Sequence, residues 1–172
     1  MGQDIHFKAY AKTRKEGIYF DLDTFGESVE LYDGRCYDLF SAFGSCRSSY
    51  PEIGNIKYGI PEYLPESVKD YIGHPDWHTI SYWSVPELKH ELEIYMEKLK
   101  NPGLFIMDGE FTEKTVKIKE FSPDYFPEEE KESIFSKMSD MHRRLEYLEN
   151  DYGWLGKYVD TSTIVILIYF DN

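Results

Sequence analysis

The feature that most constrains this chain is the run Ile164-Val165-Ile166-Leu167-Ile168-Tyr169-Phe170, seven residues without a charge. It is far short of the roughly 20 apolar residues that a membrane-spanning helix requires. It therefore reads as a buried strand, and a strand apolar at every position belongs in the middle of a sheet with a neighbour on either side. The rest of the chain must supply those neighbours. At 172 residues it is long enough for one domain with a sizeable core.

The first neighbour is at the other end of the sequence. Ile5, Phe7 and Ala9 alternate with His6, Lys8 and Tyr10, the period of two expected of a strand with two different faces. Placing this strand beside 164–170 is the simplest topology. Arg14-Lys15-Glu16-Gly17 reads as a hairpin turn, 18–22 as the returning strand, and 28–32 as a third strand before the turn signal Asp33-Gly34. From there the period changes. Cys36, Leu39, Phe40 and Phe43 share one face of a short helix ending near Gly44. Residues 45–65 read as a long ordered loop, and 66–71 as one more helical turn before Gly73-His74-Pro75.

Two long helices are the clearest elements. Ser84-Val85-Pro86-Glu87 has the form of a capping box, and Leu88, Leu92, Tyr95 or Met96, and Leu99 continue the stripe to Asn101-Pro102-Gly103. After Pro127, Ile134, Met138, Met141, Leu145, Leu148 and Tyr152 recur at spacings of four and three, behind an acidic opening suited to the positive end of the helix dipole. Between them, 104–107 and 115–121 read as a strand pair. The expected fold is α+β: one domain over residues 1–172 with a single mixed or antiparallel sheet and the two long helices packed on one face.

Charge narrows the partners. Nineteen basic residues against 32 acidic ones give a formal charge of −13. That argues against non-specific nucleic-acid or anionic-membrane binding through a basic face, so an anionic ligand needs a local basic pocket. Two cysteines are too few for a disulfide scaffold or a four-cysteine zinc site, and residues 1–4 carry no signal-peptide core, so a cytoplasmic protein is expected. Phosphate-loop, dinucleotide-fold, nucleophile-elbow and Cys-x-x-Cys motifs are absent.

Three groups of residues carry candidate chemistry. Asp4 and His6, two apart on a strand, project to one face, where a carboxylate can orient an imidazole for acid–base work or the pair can hold a metal. The plain alternative is that they satisfy the end of the sheet. Asp76 and His78 repeat the pattern beside Trp77, Ser81 and Trp83, with His74 just before. If the first strand lay beside this segment, Asp4, His6, Asp76 and His78 would converge into a catalytic or divalent-metal constellation. Otherwise the segment is a polar loop anchored by Trp77 and Trp83. Arg35 and Arg47 are scarce cations flanked by Tyr37, Ser48, Ser49 and Tyr50. They could hold a phosphate while a ring stacks on a base, or simply pair with carboxylates.

Several of these segments together resemble a family of small, largely uncharacterised phage and prophage proteins. Their start, Met-Gly-Cys-Asp-Ile-His, is matched by residues 1–6 with Gln3 in place of Cys, which removes any thiol role there. An Arg-x-Tyr-x-Leu-Phe helix is matched at 35–40. A Gly-Leu-Pro stretch leading to Asp-x-His-x-x-Ser-x-x-Thr-x-x-Glu-Leu is matched by Gly59-Ile60-Pro61 and then Asp76, His78, Ser81, Ser84, Glu87 and Leu88. The tail Phe170-Asp171-Asn172 is similar too. The resemblance implies a phage origin and draws attention to the same Asp and His positions, without fixing a reaction.

The expected function is a phage-type accessory protein that binds and sequesters a small nucleotide-derived ligand, such as a host immune signal, through Arg35, Tyr37, Arg47, Trp77, His78, Ser81 and Trp83. No cofactor is expected beyond a divalent metal in the enzymatic alternative. That alternative is a nucleotide hydrolase or phosphodiesterase using His6, His78, Asp4 and Asp76. A further alternative is an acidic protein-binding factor, and a homo-oligomer is compatible with each.

Overall fold

The computed structural model describes residues 4–25, 31–32, 37–44, 50–101, 127–150 and 155–171. Within them lies one five-stranded antiparallel sheet, built from β1 (Ile5–Thr13), β2 (Tyr19–Asp21), β3 (Lys57–Tyr58), β4 (Trp77–Ser84) and β5 (Val159–Asp171), in the order β2-β1-β5-β4-β3. The helices are α1 (Tyr37–Ala42), α2 (Glu66–Ile72), α3 (Val85–Lys100), α4 (Glu128–Glu149) and the short α5 (Leu155–Tyr158). None of the described helices is long and apolar enough to cross a membrane.

β5 is central and longer than its apolar run, with β1 on one side and β4 on the other. Ile164, Ile166, Ile168 and Phe170 point into the main core with Ile5, Ala9 and Ala11 of β1 and the apolar stripes of α1, α3 and α4. Val165, Leu167 and Tyr169 point the other way, where Tyr10, Leu64, Val68 and Ile72 cover them. The two long helices share the main-core face, as expected. The opposite face is closed by α2 and the segment leading into it, cover that a reading of the long helices alone does not foresee.

The hairpin at 14–17 forms as expected, with Gly17 at a φ of 67° and the Thr13 N–H donating to the Ile18 carbonyl at 2.8 Å. Ser84 both ends β4 and caps α3. Its side chain accepts from the Glu87 N–H while the Glu87 carboxylate accepts from the Ser84 N–H at 2.9 Å. Lys57, reaching Glu87 Oε2 at 2.6 Å, together with Ser84 outweighs the cost of partial burial and holds the Glu87 carboxyl down to about 2.

One open alternative is decided and two expectations change. Of the two readings of the 76–83 segment, extended strand or polar loop, the strand is the one formed, over Trp77–Ser84; a bulge between His78 and Ser81, with Thr79 at a φ of 52°, interrupts its alternation. The long loop contains β3, which pairs with Tyr82 and Ser81. Leu31 and Tyr32 are not in a strand. The expected strands at 104–107 and 115–121, and positions 28–30 of the third strand, lie outside the described residues, as does Tyr152.

Full burial of an aliphatic side chain is worth about 1.5–3 kcal/mol, so the two faces of β5 anchor the molecule. Ile166→Ala is expected to cost about 2–5 kcal/mol. Leu167→Ala should cost less, because the short α2 can settle into the gap more easily than the paired long helices. Urea unfolding of both variants checks the ranking.

Candidate functional site

The register of β5 decides which candidate residues meet. His6 stands opposite Tyr169 and His78 opposite Phe170, and consecutive residues of a strand face opposite sides of the sheet. The rings follow. His6 stacks on Tyr169 with centroids 5.3 Å apart, on the α2 side, whereas His78 stacks on Phe170 at 6.0 Å, on the main-core side. The sheet stands between the two imidazoles, so the constellation of Asp4, His6, Asp76 and His78 expected from their spacing does not form.

His6 has a different carboxylate. Its Nε2 lies 3.1 Å from Asp171 Oδ2, while Asp171 Oδ1 accepts from the Asp4 backbone N–H at 2.7 Å and the Asp171 N–H donates to the Asp4 carbonyl at 3.2 Å. Asp4 therefore reaches the pair through its backbone. Burial opposes ionisation of Asp171, but the Asp4 N–H and His6 outweigh it and hold the carboxyl below its ordinary range. Trp77 completes the group, edge-on to His6 at 5.0 Å and to Tyr169 at 4.5 Å, with Tyr71 of α2 6.0 Å from its ring.

Beside this group opens a cleft of about 520 Å³, lined by Asp70, Tyr71, His74, Asp76, Trp77 and Asp171. Across Tyr71 lies a second hollow of about 760 Å³, bordered by Lys8, Tyr10, Tyr19, Asp21 and Val68 among others. Both volumes suit a small molecule. His74 Nδ1 lies 3.3 Å from Asp76 Oδ2 at the exposed turn before β4. Lys8 is taken up by Asp21 at 3.2 Å and Asp23 at 2.6 Å. Burial pushes the Tyr10 hydroxyl up to about 12, helped by Asp21, and raises Tyr169 further, helped by Tyr71. At neutral pH these hydroxyls are protonated and serve as hydrogen-bonding groups, not bases.

Of the expected ligand-binding residues, Trp77 lines the cleft, with Asp76 from the acid–base set. Ser81 and Trp83, both 0% exposed, lie on the main-core side with His78, so they do not wall this cleft. Arg35 and Arg47, and the side chain of Tyr37, lie outside the described residues. Among the described residues no three His, Cys, Asp or Glu side chains group closely enough to hold a metal ion. Sequence reasoning missed Tyr71, Tyr169 and Asp171 as members of the site. The one hint was Asp171 in the Phe-Asp-Asn tail, and the pairing that gives it meaning spans 165 residues. Compared with protein-family models, curated proteins and solved structures, the chain finds no match.

Because Asp171 is a carboxyl whose folded-state pKa is depressed, its contribution is fully present above the unfolded value near 4 and is lost as pH falls through the folded one. Asp171→Asn is expected to cost about 1 kcal/mol at pH 7. The gap to the parent should narrow steadily below about pH 4. Denaturant unfolding at pH 7 and pH 3 measures both.

Proposed function

We propose that the protein is a small-molecule binding module that holds the ring end of a nucleotide-derived ligand in the cleft between α2 and the sheet, and retains it unchanged. The observation that carries this reading is the aromatic group at the cleft: Trp77 braced edge-on by Tyr169 and His6, with the half-exposed Tyr71 at its mouth. A flat heterocycle stacks on such rings for about 1–3 kcal/mol per base. The cleft lining also carries Asp70, Asp76 and Asp171. Those carboxylates disfavour a phosphate there, so the phosphate end faces outward into solvent. Sequestration of a host signal by a phage-type protein is the biological role that fits such a module and the resemblance of its motifs.

The second reading, a nucleotide hydrolase, is favoured by the His6–Asp171 pair, in which a carboxylate orients an imidazole as acid–base catalysis requires. In that reading His6 moves the proton and Asp171 positions it. His78, on the other face, has no part.

The two readings separate in one experiment. The purified protein is incubated with adenosine monophosphate, cyclic ADP-ribose and a cyclic dinucleotide, then heated, and the released material is weighed by mass spectrometry. Binding without turnover returns one of these probes intact. Trp77→Ala and the milder Tyr71→Ala should each weaken that probe at least about tenfold, the loss of roughly 1.4 kcal/mol of stacking. Conversion that His6→Ala abolishes supports the hydrolase instead. Retention of none of the three at micromolar protein overturns the binding reading.

A further inference from the structure

A third pocket, on the other side of the sheet, is built differently. It encloses about 600 Å³ and is lined by Asn55, Ile56, Lys57, Trp83, Glu87, His90 and Glu91. Glu87, His90 and Glu91 stand at i, i+3 and i+4 on α3 and so share one helix face. The charges of Glu87 and Lys57 are mutually satisfied, since the same Glu87 oxygen takes Lys57 at 2.6 Å and both the N–H and hydroxyl of Ser84.

Glu91 is not satisfied in this way. It is only 5% exposed, and the hydrogen bond it receives among the described residues comes from a neutral amide, Asn55 Nδ2 at 2.6 Å. A carboxylate so far out of water ordinarily has a cationic partner, because a single neutral donor does not repay its lost hydration. The backbone makes room for it. A Cβ on Gly54 would stand 2.6 Å from Glu91 Oε2, so the absence of a side chain at Gly54 lets the carboxylate sit where it does. The second unsatisfied group is the indole of Trp83, which lines the same pocket. It is 0% exposed and its Nε1–H has no acceptor among the described residues. A buried acceptor lacking a cation and a buried donor lacking an acceptor thus border one cavity.

We propose that this pocket binds a small organic ammonium compound that also carries an oxygen acceptor, as an amino acid or amino alcohol does. The ammonium pairs with Glu91 and the oxygen end accepts from the indole N–H. His90, exposed on α3, stands at the mouth. A phosphate is excluded by Glu87 and Glu91, and an inorganic cation leaves both most of the volume and the indole donor unfilled.

The probes are ethanolamine and the free amino acids at 10 mM and 150 mM salt, which screens attraction by the net negative charge, with ethylene glycol as the neutral control. The readout is the ¹⁵N–¹H spectrum, in which the Trp83 indole and Asn55 side-chain amide report on the pocket. The expected result is a saturable shift of both signals by at least one amine and by no neutral control, reduced at least tenfold in Glu91→Gln and unchanged in Asp76→Asn, a residue of the α2 cleft. Glu91→Gln should also melt about 2–4 °C higher, because it removes an uncompensated charge while keeping a hydrogen-bonding partner for Asn55. Gly54→Ala, which displaces the carboxylate, should weaken the amine as well. No shift with any amine overturns the proposal, as does an equal shift in Glu91→Gln or a Glu91→Gln protein that melts lower than the parent.

Discussion

Everything in this molecule depends on a strand that has no wet face. Over residues 164–170 β5 is buried on both sides, so each of those residues is committed to one of two compartments, and each neighbour inherits that commitment through its register. Ile168 and Phe170 bind the sheet to the long helices, while Leu167 and Tyr169 bind it to α2. A slip of one residue in the β1–β5 pair would carry charged side chains of β1, Lys8 among them, toward the main core. The large energetic difference between those registers fixes the position of His6 beside Asp171 more firmly than the hydrogen bond between them could.

The same constraint explains what was legible in the sequence and what was not. β1, α3 and α4 announce themselves through a period of two or of three to four, and β5 through seven apolar residues without a break, and local pattern is all that such a reading needs. The helix cap at Ser84 was legible for the same reason. β4 was not, because its bulge at Thr79 puts one residue out of step and gives Trp77 and Trp83 the look of loop anchors. The candidate site failed for a further reason. Spacing of two places Asp4 with His6 and Asp76 with His78, but it carries no information about which face each strand turns toward β5. The partner that His6 takes lies at the far end of the chain, and no local pattern encodes a contact across 165 residues.

Electrostatics adds an economy of its own. A chain with 19 basic residues and 32 acidic ones cannot neutralise its carboxylates one by one. Where cations are used, they are often shared: Lys8 meets Asp21 and Asp23, and Lys89 meets Glu146 and Glu149. These pairs are at the surface, where each contributes at most about 1 kcal/mol. Other carboxylates are held by N–H donors, as Asp171 is by Asp4, or by a helix cap, as Glu87 is by Ser84. A backbone donor fixed in a sheet or a cap costs no side-chain entropy, so it holds a charge more cheaply than a lysine would.

Against that pattern the burial of Glu91 is the exception, and its position shows why it matters. Shared lysines and backbone caps deal with charges that remain near water, where an imperfect partner costs little. Glu91 is on the buried edge of α3, one residue before Leu92 enters the main core, and among the described residues it has the Asn55 amide but neither a lysine nor a backbone cap. An apolar residue there would pack without the desolvation cost, and replacing buried ionic groups by apolar ones of similar volume is often neutral or stabilising. A residue that lowers stability where a simpler one would raise it is the signature of a site shaped by binding and not by folding. The α2 cleft shows no such conflict, since Asp171 and His6 pair with each other and Trp77 packs edge-on against His6. The two pockets therefore make opposite demands: one is complete as folded and offers a surface for stacking, and the other is completed only by what it binds.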